Sequence, residues 1–150
     1  MSNHKVKIQI HSKIKYENGQ EERLHEDAVG DLYLKEGHFF LRYQETEKMG
    51  NTWTVVKWPK ERTPITVVII RQGNVKMKQV FQEGVRIDFT YQSPYGALEM
   101  EILTHRIHLS KPSLNKGEIG LQYQLTRNKQ IIGTYHLDLY YQRIEGGKSC

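Results

Sequence analysis

Glu99 and Glu101 stand two apart in the run Leu-Glu-Met-Glu-Ile-Leu, a spacing that puts both carboxylates on one face of a strand. There one could give a proton and the other take it. His136 and Asp138 share the same spacing and could form a carboxylate–histidine pair. His105 and His108 are three apart, so they meet on one face only if the chain slips phase between them. His38, His105 or His136 could each serve as an axial ligand to haem, although no motif singles one out. Each has a plainer reading as a solvated side chain on an outward face. G-x-S-x-G elbows, phosphate-cradling loops and H-E-x-x-H are absent from the sequence, so an enzyme is the least supported class and no cofactor is evident.

Two constellations point to binding instead. Lys5, Lys7, His11, Lys13 and Lys15 alternate with Val6, Ile8, Ile10 and Ile14, giving one strand a basic face and an apolar one. Joined by Lys76 and Lys78, that face could meet an anionic partner such as nucleic acid. It lacks interleaved aromatic residues, and lysines on exposed strands commonly just deter edge pairing. The second constellation is aromatic. Tyr43, Trp53, Met77, Phe81, Phe89, Tyr91, Tyr123 and Tyr135 fall on apolar parities, together with Leu41 and Leu139. Nine tyrosines in the chain is a high count, and buried phenols need hydrogen-bond partners. A small apolar molecule with a polar head would supply them; a packed core with hydroxyls at its rim is the alternative.

These side chains need strands to position them. From Ile65 to Glu99 the sequence reads as three or four strands punctuated by Gly73, Gly84 and Gly96. Thr66–Ile70 is apolar on both faces, and Val75–Phe81 and Val85–Tyr91 alternate. Ahead of them, Glu17-Asn-Gly-Gln marks a hairpin after the first strand, and Glu21–Asp27 reads as a weak strand returning to Gly30. A two-residue loop at Glu36-Gly37 pairs Leu34 with Phe39 and Leu32 with Leu41, setting Asp31 opposite Arg42. Glu45–Asn51 reads as a polar loop, and Thr52–Trp58 as a strand ended by Pro59. At Gly73-Asn74 two registers compete: Ile70 opposite Met77, or Ile69 opposite Met77 with Arg71 on the face of Val75. Leu98, Met100 and Ile102 keep one parity while Leu103, Ile107 and Leu109 take the other, which predicts a β-bulge near Leu103–Arg106. The last two apolar sets, Ile119–Leu125 and Ile131–Tyr141, match only across an odd loop of three or five residues.

Nine or ten strands at this spacing, without helical periodicity, predict a closed or nearly closed antiparallel up-and-down β-barrel of about 8–10 strands. A chain of 150 residues fits one domain, here 1–145, followed by a flexible tail from Gly146 to Cys150. The single cysteine excludes an internal disulfide and four-cysteine zinc sites. Apolar residues at 37% and charged ones at 26% exclude a disordered chain. No apolar run is long enough for a membrane helix, and the N-terminus lacks a signal-peptide pattern, so a cytoplasmic location is expected. The net charge of +5 permits an anionic partner without requiring one.

Arg71-x-Gly73-x-Val75-Lys76-Met77-x-Gln79-x-Phe81-x-x-Gly84 resembles the signature of the YwiB-like family of small bacterial proteins of uncharacterised function. Tyr91 four residues ahead of Gly96, then Leu98-Glu99, Thr104 and Ile107, continue the likeness, which extends more loosely over almost the whole chain. The resemblance implies a calycin-like barrel, related in architecture to lipocalins. It implies no activity and supplies no catalytic positions.

Overall fold

Alternation of apolar and polar side chains makes the whole chain a single meander of strands. The computed structural model describes residues 3–45, 52–61, 65–111 and 113–144, and among them it forms ten antiparallel strands. They are β1 (His4–Tyr16), β2 (Glu21–Lys35), β3 (His38–Gln44), β4 (Trp53–Pro59), β5 (Val67–Gln72), β6 (Met77–Phe81), β7 (Arg86–Ser93), β8 (Gly96–Leu109), β9 (Lys116–Arg127) and β10 (Gln130–Arg143). Their order in the sheet is β6-β5-β4-β3-β2-β1-β10-β9-β8-β7. The first and last strands therefore pair, from Val6↔Arg143 to Tyr16↔Gly133. Among the described residues the cylinder stays open at a seam between β6 and β7, where Lys76, just ahead of β6, makes one bridge to Gln92 of β7. The turn between them reaches past β7: Gly84 N donates to Thr104 O at 2.8 Å, and Ile107 N to the Glu83 carboxylate at 2.7 Å. The barrel is nearly closed. The tail from Gly146 to Cys150 lies outside the described residues, as does most of the Glu45–Asn51 loop.

One wall of the sheet is apolar. Val6, Ile8, Leu32, Leu41, Val56, Val67, Phe81, Ile102 and Leu121 are almost wholly buried and form one continuous core. Charged residues on the opposite parity face out.

Turn chemistry sets the registers. Glu36 and Gly37 both have positive φ, 51° and 79°, as the tight two-residue hairpin requires, and Leu34↔Phe39, Leu32↔Leu41 and Asp31↔Arg42 pair as expected. The weak strand before Gly30 and the strand after it are one continuous β2. Gly30 is where it is pressed hardest: a Cβ there would lie 2.3 Å from Arg42 O and 2.9 Å from Tyr43 Cβ. Because one of those atoms is backbone, Gly30→Ala should cost about 1–3 kcal/mol in urea unfolding; an unchanged midpoint would show that β2 and β3 can part there.

One further expectation about register holds and two are corrected. The bulge in β8 lies where predicted, with the register shifting between Thr104↔Tyr123 and Arg106↔Gln122. The β9–β10 loop has two residues, not three or five: Asn128 and Lys129, at φ 52° and 64°, close Arg127↔Gln130. A second register shift between Ile131 and Gly133 then restores the apolar match, so a bulge does what an odd loop would have done. Across β5–β6 neither predicted register holds, because the partners are Arg71↔Met77 and Ile69↔Gln79. The face assignment of the second alternative survives, and it turns Arg71 inward.

Candidate functional site

The hairpin ends of β1–β2, β3–β4, β5–β6 and β9–β10 gather at one rim, and the interior is polar there. Glu45, just past β3, is tied by its N–H to Thr52 O at 2.8 Å. Arg71, at the end of β5, reaches it with two hydrogen bonds: Nε and Nη2 donate to Oε2 and Oε1, each at 2.7 Å. The Thr54 hydroxyl donates to the same carboxylate. The ion pair is nearly enclosed, with the Arg71 side chain 15% exposed and that of Glu45 9%. A bidentate, hydrogen-bonded pair is the form in which such charges are tolerated out of water.

Two phenols, Tyr43 and Tyr123, lie near it. Burial pushes the Tyr43 hydroxyl well above the ordinary tyrosine range, with Glu45 and Glu26 adding to the effect. Tyr123 is raised likewise, by burial first and then by Tyr135. Its ring stacks on Tyr135, with centroids 5.2 Å apart and planes at 11°, and meets Phe81 edge-on at 4.8 Å. Tyr135 is raised by burial and by Glu22, which also accepts a hydrogen bond from the Tyr16 hydroxyl at 2.8 Å. At neutral pH these groups are hydrogen-bond donors and not phenolates. Deeper in, Thr104 is fully buried, opposite Tyr123 and beside the β8 bulge. Its Oγ1 has no hydrogen-bond partner among the described residues. The far rim differs: Phe39 stacks on Trp58, Trp58 packs on Tyr141, and the Tyr141 hydroxyl, raised to about 12 by burial, donates to Ser113 O.

Of the aromatic set predicted to line the interior, Tyr43, Phe81, Phe89 and Tyr123 are buried there, and Met77, Tyr91 and Tyr135 pack against the same core. Trp53 does not join them. Tyr43↔Thr54 and Leu41↔Val56 commit the other parity of β4 to the inside, so Trp53 faces out beneath the Arg42 guanidinium, 4.2 Å from its ring. A surface cleft of about 450 Å³ opens beside it.

The basic face of β1 is present but mixed with acid. Lys5 approaches Asp31 at 3.9 Å and Lys13 approaches Glu21 at 3.6 Å, and His11 lies across from Asp138. Lys7 and Lys15 are exposed on the same face. Lys76 and Lys78 cannot extend it, because four strands separate β6 from β1 in either direction round the barrel. Glu99 and Glu101 face out, accepting hydrogen bonds from Thr90 and Arg86 across the β7–β8 pair. His136 contacts Gln122, His38 lies 3.3 Å from Glu36 O in its own turn, and His105 and His108 are exposed on either side of Ile107. A cleft of about 1050 Å³ is lined by residues of β2, β1, β10 and β9 from both faces, among them the exposed Val29 and Tyr140 and the buried Ile8 and Tyr141.

The sequence reading missed Glu45, Thr54, Arg71 and Thr104 as interior polar groups. Arg71 carried a signal, the parity it shares with Ile69; Glu45 carried none, since it stood in what read as a loop.

The model of a domain of unknown function, DUF1934, matches residues 8–139, a span that contains the whole Arg71–Ile107 signature. The chain belongs to this family. The uncharacterised β-barrel protein YwiB of Bacillus subtilis (strain 168) is 28% identical to it over 141 residues, covering 93% of this chain and 94% of the relative. The crystal structure of the ywiB protein from Bacillus subtilis aligns with a TM-score of 0.83 at 24% identity, over 95% of this chain and 93% of that one. The barrel is thus shared by these proteins, and their names carry no specific function.

Proposed function

We propose that the chain is a non-enzymatic binding barrel that takes a small, largely apolar molecule with a polar head into its interior from the polar rim, and that it acts in the cytoplasm. The observation that supports this reading most is the buried Thr104 hydroxyl. An unpaired buried hydroxyl costs about 1–3 kcal/mol, and a guest that paired with it would recover that. The donors at the rim, the Tyr43 and Tyr123 hydroxyls and the Arg71 N–H groups not spent on Glu45, favour a head with acceptor oxygens. The outer face supports an anionic partner less well, since two of its lysines, Lys5 and Lys13, already neighbour Asp31 and Glu21.

Thr104→Val tests the reading, because it keeps the shape and removes the hydroxyl. The ligand-free protein should gain about 1 kcal/mol or more in urea unfolding. Native mass spectrometry of gently purified protein should show a bound small molecule, held less by the valine variant. A parent chain that runs only at its bare mass, with no uptake of an environment-sensitive apolar dye, would sink the proposal.

A further inference from the structure

Independently of the interior, the outer face brings two histidines together in a way the core does not require. His11 on β1 and His25 on β2 are direct cross-strand partners. Their Nδ1 atoms are 3.2 Å apart and their rings 4.4 Å, tilted by 50°. His25 Nε2 lies 3.1 Å from Asp27 Oδ1, two residues along the same face. That carboxylate can only accept, so it fixes the proton on Nε2 and leaves the lone pair of His25 on Nδ1, facing His11.

We propose that His11 and His25 form a chelate for a divalent late transition-metal ion, with Zn²⁺ as the reference case. Zinc–imidazole bonds of 2.0–2.1 Å at a tetrahedral angle place two ligand nitrogens about 3.3 Å apart. The apposed Nδ1 atoms already have that spacing. His11 needs the tautomer with its proton on Nε2, and both rings must turn to aim their lone pairs at one point beside the line joining the two Nδ1 atoms. The pair opens into a surface cleft of about 380 Å³ that also contains His136 and Asp138. Among the described residues no group of three or more histidine, cysteine and carboxylate side chains converges on one point, so water completes the coordination. The two cations beside the pair are countered: Glu21 lies 3.6 Å from Lys13 and 3.9 Å from Arg23. Asp138, opposite His11, adds a negative charge to the approach.

Isothermal titration of Zn²⁺ into the full chain is the test, run in a Cys150→Ser background so that the lone thiol does not compete. One ion per chain should bind, and more weakly in acid, where protons compete with the metal for the ligand nitrogens. His11→Asn and His25→Asn should each weaken binding at least tenfold, and Asp27→Asn should weaken it by about tenfold through loss of the tautomer lock. His105→Asn should leave it unchanged, and ¹⁵N shifts should place the metal on Nδ1 of both rings. An absence of saturable binding, or binding that persists at parental strength in His25→Asn, overturns the proposal.

Discussion

Arg71→Leu should lower the free energy of unfolding by about 3–5 kcal/mol, the largest loss expected from any single polar substitution in this barrel. The leucine itself packs acceptably between Ile69 and Met77. The cost arises at Glu45, whose carboxylate loses both guanidinium bonds while staying nearly enclosed and still bonded to Thr54. Removing both charges together, as Glu45→Leu with Arg71→Leu, should return most of that stability, since buried pairs replaced by apolar residues are often neutral or better. Urea unfolding of the two singles and the double gives the coupling directly. A single variant that loses less than about 1 kcal/mol would mean that water reaches the pair freely.

Phe81→Ala should cost a similar 3–5 kcal/mol for a different reason. Phe81 is fully buried, ends the five-residue β6 opposite Val67, and presses edge-on against Tyr123. Truncation would leave a void next to the seam, where the sheet has few hydrogen bonds to draw the walls together. Phe81→Leu should be much milder, about 1 kcal/mol, because the space stays mostly filled. Amide exchange should quicken first in β6, which is bonded along its length only to β5. A loss below about 2 kcal/mol would indicate that the walls collapse into the gap.

Those two residues also mark how far the sequence could be read. Phe81 stands out by parity alone, as do the β2–β3 register through Asp31 and Arg42 and the bulge that shifts Leu103 and Ile107 out of phase. The barrel follows from such local signals, since every strand except β1 and β10 pairs only with a neighbour in sequence or ends at the seam. Arg71 and Glu45 were not legible as a pair. They lie 26 positions apart, and although Arg71 shares the parity of Ile69, the run before it is apolar on both faces, so that parity alone does not say which side is inner. Trp53 was misplaced because β4 carries bulky residues on both sides, and only its partners Leu41 and Tyr43 decide which side is inner. The β9–β10 turn was misjudged because two opposite solutions, an odd loop or a bulge, satisfy the same parity.

The pairing of the first strand with the last has a bearing on synthesis. As the chain leaves the ribosome, β2 can zip onto β1 at once, but the other edge of β1 has no native partner until β10, the final strand, has emerged. Until β10 pairs with it, that edge would present a row of peptide groups to foreign strands. Lys5, Lys7, Lys13 and Lys15 repeat along it, a hydrated positive fringe that a neighbouring nascent copy would have to strip of water before it could attach.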